Sequence, residues 1–136
     1  MQILLNKKGA TLVELMAAVS LFAIVLASFL TVCTQGIKTG GFADNAYLAY
    51  NLAKNRIETL KSISFNDLSL AGETNTFLDK NGVPDLDGNY KRSTSVATSY
   101  QADPNLTQVT VSVYYKYSGQ WTQNPVQIAT VIYNGS

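Results

Sequence analysis

The stretch that decides the fold lies at the start of the chain and reads Lys7-Lys8-Gly9-Ala10-Thr11-Leu12-Val13-Glu14. An almost purely apolar run follows it and continues to Cys33. Glu14 is the only charged residue between Lys8 and Lys38. A carboxylate inside a membrane-spanning helix is energetically costly, so such residues are rare and usually have a partner. We therefore expect Glu14 to have a specific role.

Residues 10–33 are long enough to cross a membrane. At about 1.5 Å per residue, a helix of this length spans about 36 Å, which exceeds the ~30 Å hydrocarbon core of a bilayer. Lys7 and Lys8 precede the apolar run, so the positive-inside rule predicts a cytoplasmic start and places the rest of the chain outside. The sequence thus predicts a leader at residues 1–9, a membrane-spanning helix at 10–36, and an extracytoplasmic domain at 37–136.

Composition argues against an enzyme and against a nucleic-acid partner. The chain has no His and a single Cys, so neither a Cys/His metal cluster nor a thiol–imidazole pair is available, and no histidine stands ready as the base that would activate a Ser or Thr. The net charge is +1, and removing residues 1–9 leaves eight basic and nine acidic residues. Neither the net charge of the whole chain nor that without residues 1–9 provides the basic surface that nucleic acids require. We expect no catalytic residue.

A second helical segment follows three glycines. Gly36, Gly40 and Gly41 each weaken a helix by about 1 kcal/mol relative to Ala, so we expect a bend there. Apolar residues then recur at steps of three or four, with charged residues on the opposite side. This apolar stripe consists of Phe42, Ala46, Ala49, Ala53, Ile57, Leu60 and Ile63. It predicts one long helix, at about residues 10–64, whose C-terminal half packs against another element.

The remainder of the chain alternates with period two. Three β-branched runs, separated by turn-forming residues, predict neighbouring antiparallel strands, with a fourth strand near residues 73–78. The runs cover residues 90–100, 109–117 and 126–133. The apolar face of such a sheet needs a cover, and the apolar stripe is available. We therefore predict an α+β fold, in which a long kinked helix packs on a three- to four-stranded antiparallel sheet.

The N-terminal motif resembles that of type IV pilins and of the pseudopilins of type II secretion systems. Two lysines, Gly9, a small residue and then Thr11-Leu12-Val13-Glu14 before an apolar helix carry this resemblance. The order of long helix, loop and antiparallel sheet extends it in looser form to the whole chain. The resemblance implies the pilin fold and a structural subunit, whose helix at residues 10–36 would form part of a filament core.

The resemblance also implies how this N-terminus is used. A prepilin peptidase would cleave between Gly9 and Ala10 and methylate the new amine of Ala10. Glu14 would then pair with the N-terminal ammonium of a neighbouring subunit, and Thr11, Leu12 and Val13 would complete the assembly segment. The family usually has Phe or Met after the cut, so Ala10 is more typical of a minor subunit.

The partners implied by the resemblance are other pilin or pseudopilin subunits, the prepilin peptidase, an inner-membrane assembly platform and the lipid membrane before assembly. The implied location is the bacterial inner membrane, crossed once with the N-terminus in the cytoplasm. The subunit would then enter an extracytoplasmic filament, either a pilus or a periplasmic pseudopilus.

Two other interpretations fit parts of the same pattern. A secretory signal peptide also has a positive start and an apolar core, but over twenty apolar residues are long for one and an early glutamate is unusual. A single-pass anchor could instead carry an extracytoplasmic binding module that does not polymerise. Cleavage by a prepilin peptidase distinguishes this alternative from a filament subunit.

Residues 79–88 form the one candidate metal loop. Its oxygen-bearing side chains are those of Asp79, Asn81, Asp85 and Asp87, and two glycines allow the backbone to fold around an ion. Oxygen ligands at alternate positions suit Ca²⁺. The same residues are ordinary turn formers, however, and the spacing differs from that of an EF-hand. The sequence leaves a calcium site and a plain turn as alternatives.

Overall fold

The computed structural model describes residues 11–135 and shows an α+β fold. One long helix, α1 (Leu12–Lys61), precedes an antiparallel sheet. The strands are β1 (Glu73–Leu78), β2 (Tyr90–Thr98), β3 (Leu106–Tyr117), β4 (Gln120–Trp121) and β5 (Val126–Tyr133). Short 3₁₀ turns lie at Phe65–Leu70 and Tyr100–Ala102. The predicted fold class is confirmed.

Helix α1 continues without interruption through Gly36, Gly40 and Gly41. A glycine weakens a helix by about 1 kcal/mol but does not end it, and the flanking residues keep the helical hydrogen bonds. The bend expected at these glycines therefore does not appear as a break in the helix, and it stays a prediction.

The chain divides into two compact units between Gly40 and Gly41. In the first unit, every described residue, from 11 to 40, is exposed. This division falls shortly after the boundary predicted between residues 36 and 37. The buried residues among 11–135 all lie in the second unit.

The second unit has a hydrophobic core of its own, formed between the last turns of α1 and one face of the sheet. The helix contributes Ala49, Leu52, Ala53, Ile57 and Leu60. The rest of the chain contributes Leu68, Leu78, Tyr90, Val109, Val111, Val113 and Tyr115. Along β3, buried and half-buried residues alternate, because successive side chains of a strand point to opposite faces. The helix therefore covers the apolar face of the sheet.

The structure confirms the middle of the predicted apolar stripe, but the residues at its two ends remain partly exposed. Ile63 remains 36% exposed, and Phe42 remains 47% exposed although its ring lies 5.6 Å from that of Tyr115. Leu52, which the predicted stripe omits, is 5% exposed. The buried face of the helix is therefore wider in the middle and shorter at both ends than the stripe.

The sheet runs in the order β1-β2-β3, and β4 and β5 share the far side of β3. All pairs are antiparallel. The strand predicted near residues 73–78 is present as β1, and β5 has its predicted bounds. The two-residue strand β4 was not predicted. It pairs with the end of β3 through a tight turn in which Ser118 and Gly119 both have positive φ, the geometry of a two-residue hairpin.

The loop between β1 and β2 depends on Gly88. A Cβ atom at this position would lie 2.1 Å from the carbonyl oxygen of Leu78 and 2.9 Å from that of Asp85. Both are backbone atoms, which cannot rotate away. Only glycine allows the loop to return so close to β1.

Candidate functional site

The predicted assembly segment begins helix α1. The Glu14 N–H donates to the Thr11 side-chain oxygen at 3.2 Å, and the Leu15 N–H donates to the Thr11 carbonyl at 3.0 Å. Thr11 is therefore the N-cap, and Glu14 stands at the third helical position. A Thr or Ser followed three residues later by Glu is the sequence signature of a capping box. That signal was present in the sequence, but we did not predict a capping role.

The hydroxyl groups within the apolar run are satisfied by the helix itself. Each donates to the carbonyl four residues earlier, at distances of 2.8 to 2.9 Å. The donors are Ser20, Ser28 and Thr31. A hydroxyl bonded in this way does not require water, so these residues are compatible with lipid or with a dry helix bundle.

Glu14 differs from these residues because its carboxylate has no ion pair within residues 11–135. Its predicted partner is the amine created at Ala10, but Gly9 and Ala10 lie outside the described residues. Of the polar side chains in the described part of the apolar run, the Glu14 carboxylate is therefore the one whose predicted partner lies outside the described residues.

The apolar side chains around Glu14 are open to their surroundings. Leu12 and Val13 are each 74% exposed. Within the described residues, α1 is the one helix long and apolar enough to span a membrane. Its apolar part is not buried by the rest of the chain. Buried helices of soluble proteins have a similar composition but a covered surface, so the helix fits a single-pass membrane anchor.

The predicted calcium loop is held by its own hydrogen bonds. One carboxylate oxygen of Asp79 accepts from the N–H groups of Asn81 and Val83 at 2.8 and 2.9 Å. The other oxygen accepts from the Asn81 side chain at 3.2 Å. The hydrogen bond from Val83 does most to hold the pKa of Asp79 below its ordinary value, and those from Asn81 add to it. Similarly, Asp85 accepts from the N–H of Asp87 at 3.0 Å.

Three of the loop carboxylates, those of Asp79, Asp85 and Asp87, border one cleft of about 600 Å³. Lys80 and Lys116 border the same cleft and add positive charge where an ion would bind. Among residues 11–135, no group of three or more His, Cys, Asp or Glu side chains is placed to hold a metal ion. The geometry favours the turn interpretation, and a calcium site with Asn81 as a further ligand stays a prediction.

An ion cluster that we did not predict joins α1, β1 and β2. Glu73 is 17% exposed, and it receives hydrogen bonds from the side chains of Arg92 and Thr94. The Nε atom of Arg56 lies 3.3 Å from Glu73, and its Nη2 donates to the Ala71 carbonyl at 3.0 Å.

Burial alone raises the pKa of Glu73, but the hydrogen bonds from Arg92 and Thr94 and the charges of Arg92 and Arg56 outweigh it. The pKa of Glu73 therefore lies below its ordinary value. The three charged residues are far apart in the sequence, and no local pattern connects them. The cluster stabilises the second unit and lies far along the chain from the N-terminal motif.

Comparisons with known proteins give one match. Residues 4–30 match the family model described as the prokaryotic N-terminal methylation motif, which is the hallmark of the signal in type IV pilin and pseudopilin precursors. A search of curated proteins and a search of solved structures each returned no significant match. The match covers Gly9, Ala10 and Glu14, together with most of the apolar run, and confirms the resemblance of this N-terminus to a prepilin signal.

Proposed function

We propose that this chain is a structural subunit of a type IV pilus or of a type II secretion pseudopilus, and a minor subunit of that filament. A prepilin peptidase cleaves it after Gly9 and methylates Ala10, and the mature chain polymerises through its N-terminal helix. The methylation motif at residues 4–30 supports a precursor of this type. The assignment to a minor subunit rests on Ala10.

The observation that carries the proposal is the contrast within residues 11–33. The hydroxyl groups of this run are bonded to their own helix, and its large apolar side chains are exposed. Glu14 alone among its charged and hydroxyl-bearing residues lacks a partner in the described chain. A membrane satisfies the apolar side chains but not the carboxylate. A bundle of identical helices, each starting with an ammonium group, satisfies both.

In the assembled filament, Glu14 accepts hydrogen bonds from the methylated ammonium group of Ala10 in a neighbouring subunit. Desolvation offsets much of the attraction between two buried charges, so such a pair fixes the register of the helices more than it adds stability. Thr11 caps the helix and holds Glu14 in its first turn, where the helix dipole favours a negative charge. Leu12 and Val13 pack against neighbouring helices.

Before assembly, the subunit is anchored in the inner membrane with Lys7 and Lys8 in the cytoplasm. The second unit lies outside, where its own core keeps it folded. An inner-membrane assembly platform then transfers the helix from lipid to the filament, so lipid and neighbouring subunits cover the same apolar surface in turn.

Cleavage by a prepilin peptidase tests this proposal. The full chain is expected to lose a mass equal to residues 1–9 and to gain one methyl group. Gly9→Val should remain uncut, because a branched side chain crowds the bond to be cleaved. Gly36→Val is the matched control, since a Cβ atom at Gly36 meets nothing within 4 Å, and it should be cut normally. An uncut wild-type chain would leave the anchored binding module as the better interpretation.

A further inference from the structure

The two edges of the sheet are protected to different degrees. Strand β1 forms one edge, and the loop after it covers part of its outer side. The Asp85 N–H donates to the Phe77 carbonyl at 3.0 Å, and Leu78 forms a bridge with Pro84. The pairing of β1 with β2 is also irregular near its start. A strand that is covered and irregular is a poor template for another strand.

Strand β5 forms the opposite edge and pairs with β3 alone among the described strands. The Asn134 N–H donates to the Asn105 carbonyl at 2.9 Å, so this pair and every second pair along the ladder is hydrogen-bonded. The even-numbered residues of β5 therefore direct their backbone groups towards β3. The odd-numbered residues direct theirs to the open edge, namely Gln127, Ala129, Val131 and Tyr133.

This open edge lacks the features by which proteins usually prevent strand pairing. Strand β5 contains no charged residue, no proline and no glycine. Its regular register with β3 shows no bulge. Val131 is 44% exposed and Tyr133 is 65% exposed. Lysine, proline and bulges are the common protections of an edge strand, and their absence here indicates an edge that pairs with another strand.

We propose that β5 pairs antiparallel with β5 of a second copy of this chain, with Thr130 of each copy on the twofold axis. In this register, Ala129 lies opposite Val131 of the second copy, and Gln127 lies opposite Tyr133. All four are residues with outward backbone groups, so about eight hydrogen bonds can form. No charges oppose each other, and small or polar side chains face larger ones. The edge is thus complementary to itself, which a twofold contact requires.

This pairing is separate from the filament contact proposed above. A twofold axis normal to the sheet reverses every direction that lies in the plane of the sheet, including that of the α1 turns packed on it. Subunits within one filament share a common direction. The β5 contact therefore joins molecules that lie side by side and run in opposite directions, and it does not depend on cleavage after Gly9.

A cysteine on the twofold axis tests the register. In the full chain with Cys33→Ser, purified in mild detergent, Thr130→Cys should form a disulfide-linked dimer under mild oxidation. The opposed residues at this position form a non-hydrogen-bonded pair with Cα atoms about 4.5 Å apart, within the range of a disulfide. Ser95→Cys, on an inner strand, is the control and should remain uncrosslinked. Equal crosslinking of both variants, or of neither, would overturn the proposal.

A proline at the open edge tests the backbone pairing. Ala129→Pro removes an N–H that does not bond to β3, so the melting temperature should stay unchanged when it is measured at a concentration where both proteins are monomeric. Two hydrogen bonds are lost per dimer, and the dissociation constant should rise at least about tenfold. Ala129→Val keeps the N–H and should still dimerise. If the proline variant unfolds, Ala129→Lys replaces it, since an edge lysine also blocks pairing. Unchanged dimerisation of the folded variant would contradict the proposed edge.

Discussion

The two units of the molecule differ in the partners that they provide for a carboxylate. In the second unit, Glu73 is held by two arginines and a threonine, on three different elements. In the first unit, Glu14 has no ion pair within the described residues. The apolar side chains show the same contrast, because Val111 is fully buried and Leu12 is 74% exposed.

This difference shows where each unit finds its stabilising contacts. The core and the ion cluster of the second unit are formed by residues of the same chain, so they stabilise a single molecule. In the first unit, the hydroxyl groups of Ser20, Ser28 and Thr31 donate to carbonyl oxygens of their own helix. Its apolar surface and the Glu14 carboxylate therefore depend on what surrounds the helix.

Among the substitutions that test this difference between the units, those of Glu14 are expected to have the largest effect. Glu14→Val should be inserted and cleaved normally, yet its recovery from sheared filaments should fall by about tenfold or more, equivalent to ~1.4 kcal/mol for each subunit contact. Glu14→Asp should lose less, because it keeps the charge. The melting temperature of the second unit should not change in either variant. Recovery of the valine variant at wild-type level would show that Glu14 is not an assembly residue.

Gly88→Ala should produce the largest loss of stability in the second unit. The new Cβ atom would press on the backbone of Leu78, and such overpacking costs about 2–3 kcal/mol. The melting temperature measured by circular dichroism should fall by roughly 10 °C or more. Gly72→Ala is the control, since its Cβ atom would meet its nearest neighbour at an ordinary 3.6 Å. Equal melting temperatures of the two variants would refute the close approach.

Glu73→Gln should destabilise the second unit without affecting cleavage after Gly9. It leaves Arg56 and Arg92 without their counter-ion, which should cost about 2 kcal/mol at this partly solvated site. The matched control is Glu58→Gln, whose ion pair with Lys54 at 3.9 Å is more than half exposed and should cost only about 0.3 kcal/mol. If thermal melts show the same loss of stability in both variants, the ion cluster stabilises the fold no more than an exposed ion pair does.

The stability of the second unit should depend on pH through the ionisation of Glu73. Because its pKa is lowered in the folded chain, its contribution is complete above the unfolded value of about 4.3. As the pH falls below that value, the unfolded chain takes up the proton first, so stability is lost until the folded pKa is passed. The melting temperature should fall over this window, and Glu73→Gln should show a smaller fall. A fall of the same size in the variant would assign the acid sensitivity to other groups, such as Asp79.

The smallest effect is expected from calcium. Because loop hydrogen bonds already occupy both carboxylate oxygens of Asp79, adding millimolar calcium or a chelator should shift the melting temperature by less than about 1 °C. A bound ion at a hundredfold excess over its Kd would stabilise the fold by about 2.7 kcal/mol. A shift of several degrees, lost in Asp87→Asn, would establish the calcium site instead.

The order of elements was predictable because it depends on local patterns. Helical spacing placed α1, and strict alternation placed β2, β3 and β5 close to their observed bounds. The two-residue strand β4 was missed because two residues carry no periodic signal, and it forms only through pairing with β3. Leu52 was missed because the buried width of a helix depends on the shape of the surface that covers it.

The sequence by itself determined the N-terminal motif, the apolar run and the isolation of Glu14 within it, since these follow from residue identity and spacing along one helix. Only the tertiary structure showed that Arg56, Glu73 and Arg92 meet, that Gly88 lies against Leu78, and that β5 is an open edge. Each of these depends on contacts between segments distant in sequence. Such contacts are set by packing of the whole core, and no local pattern encodes them.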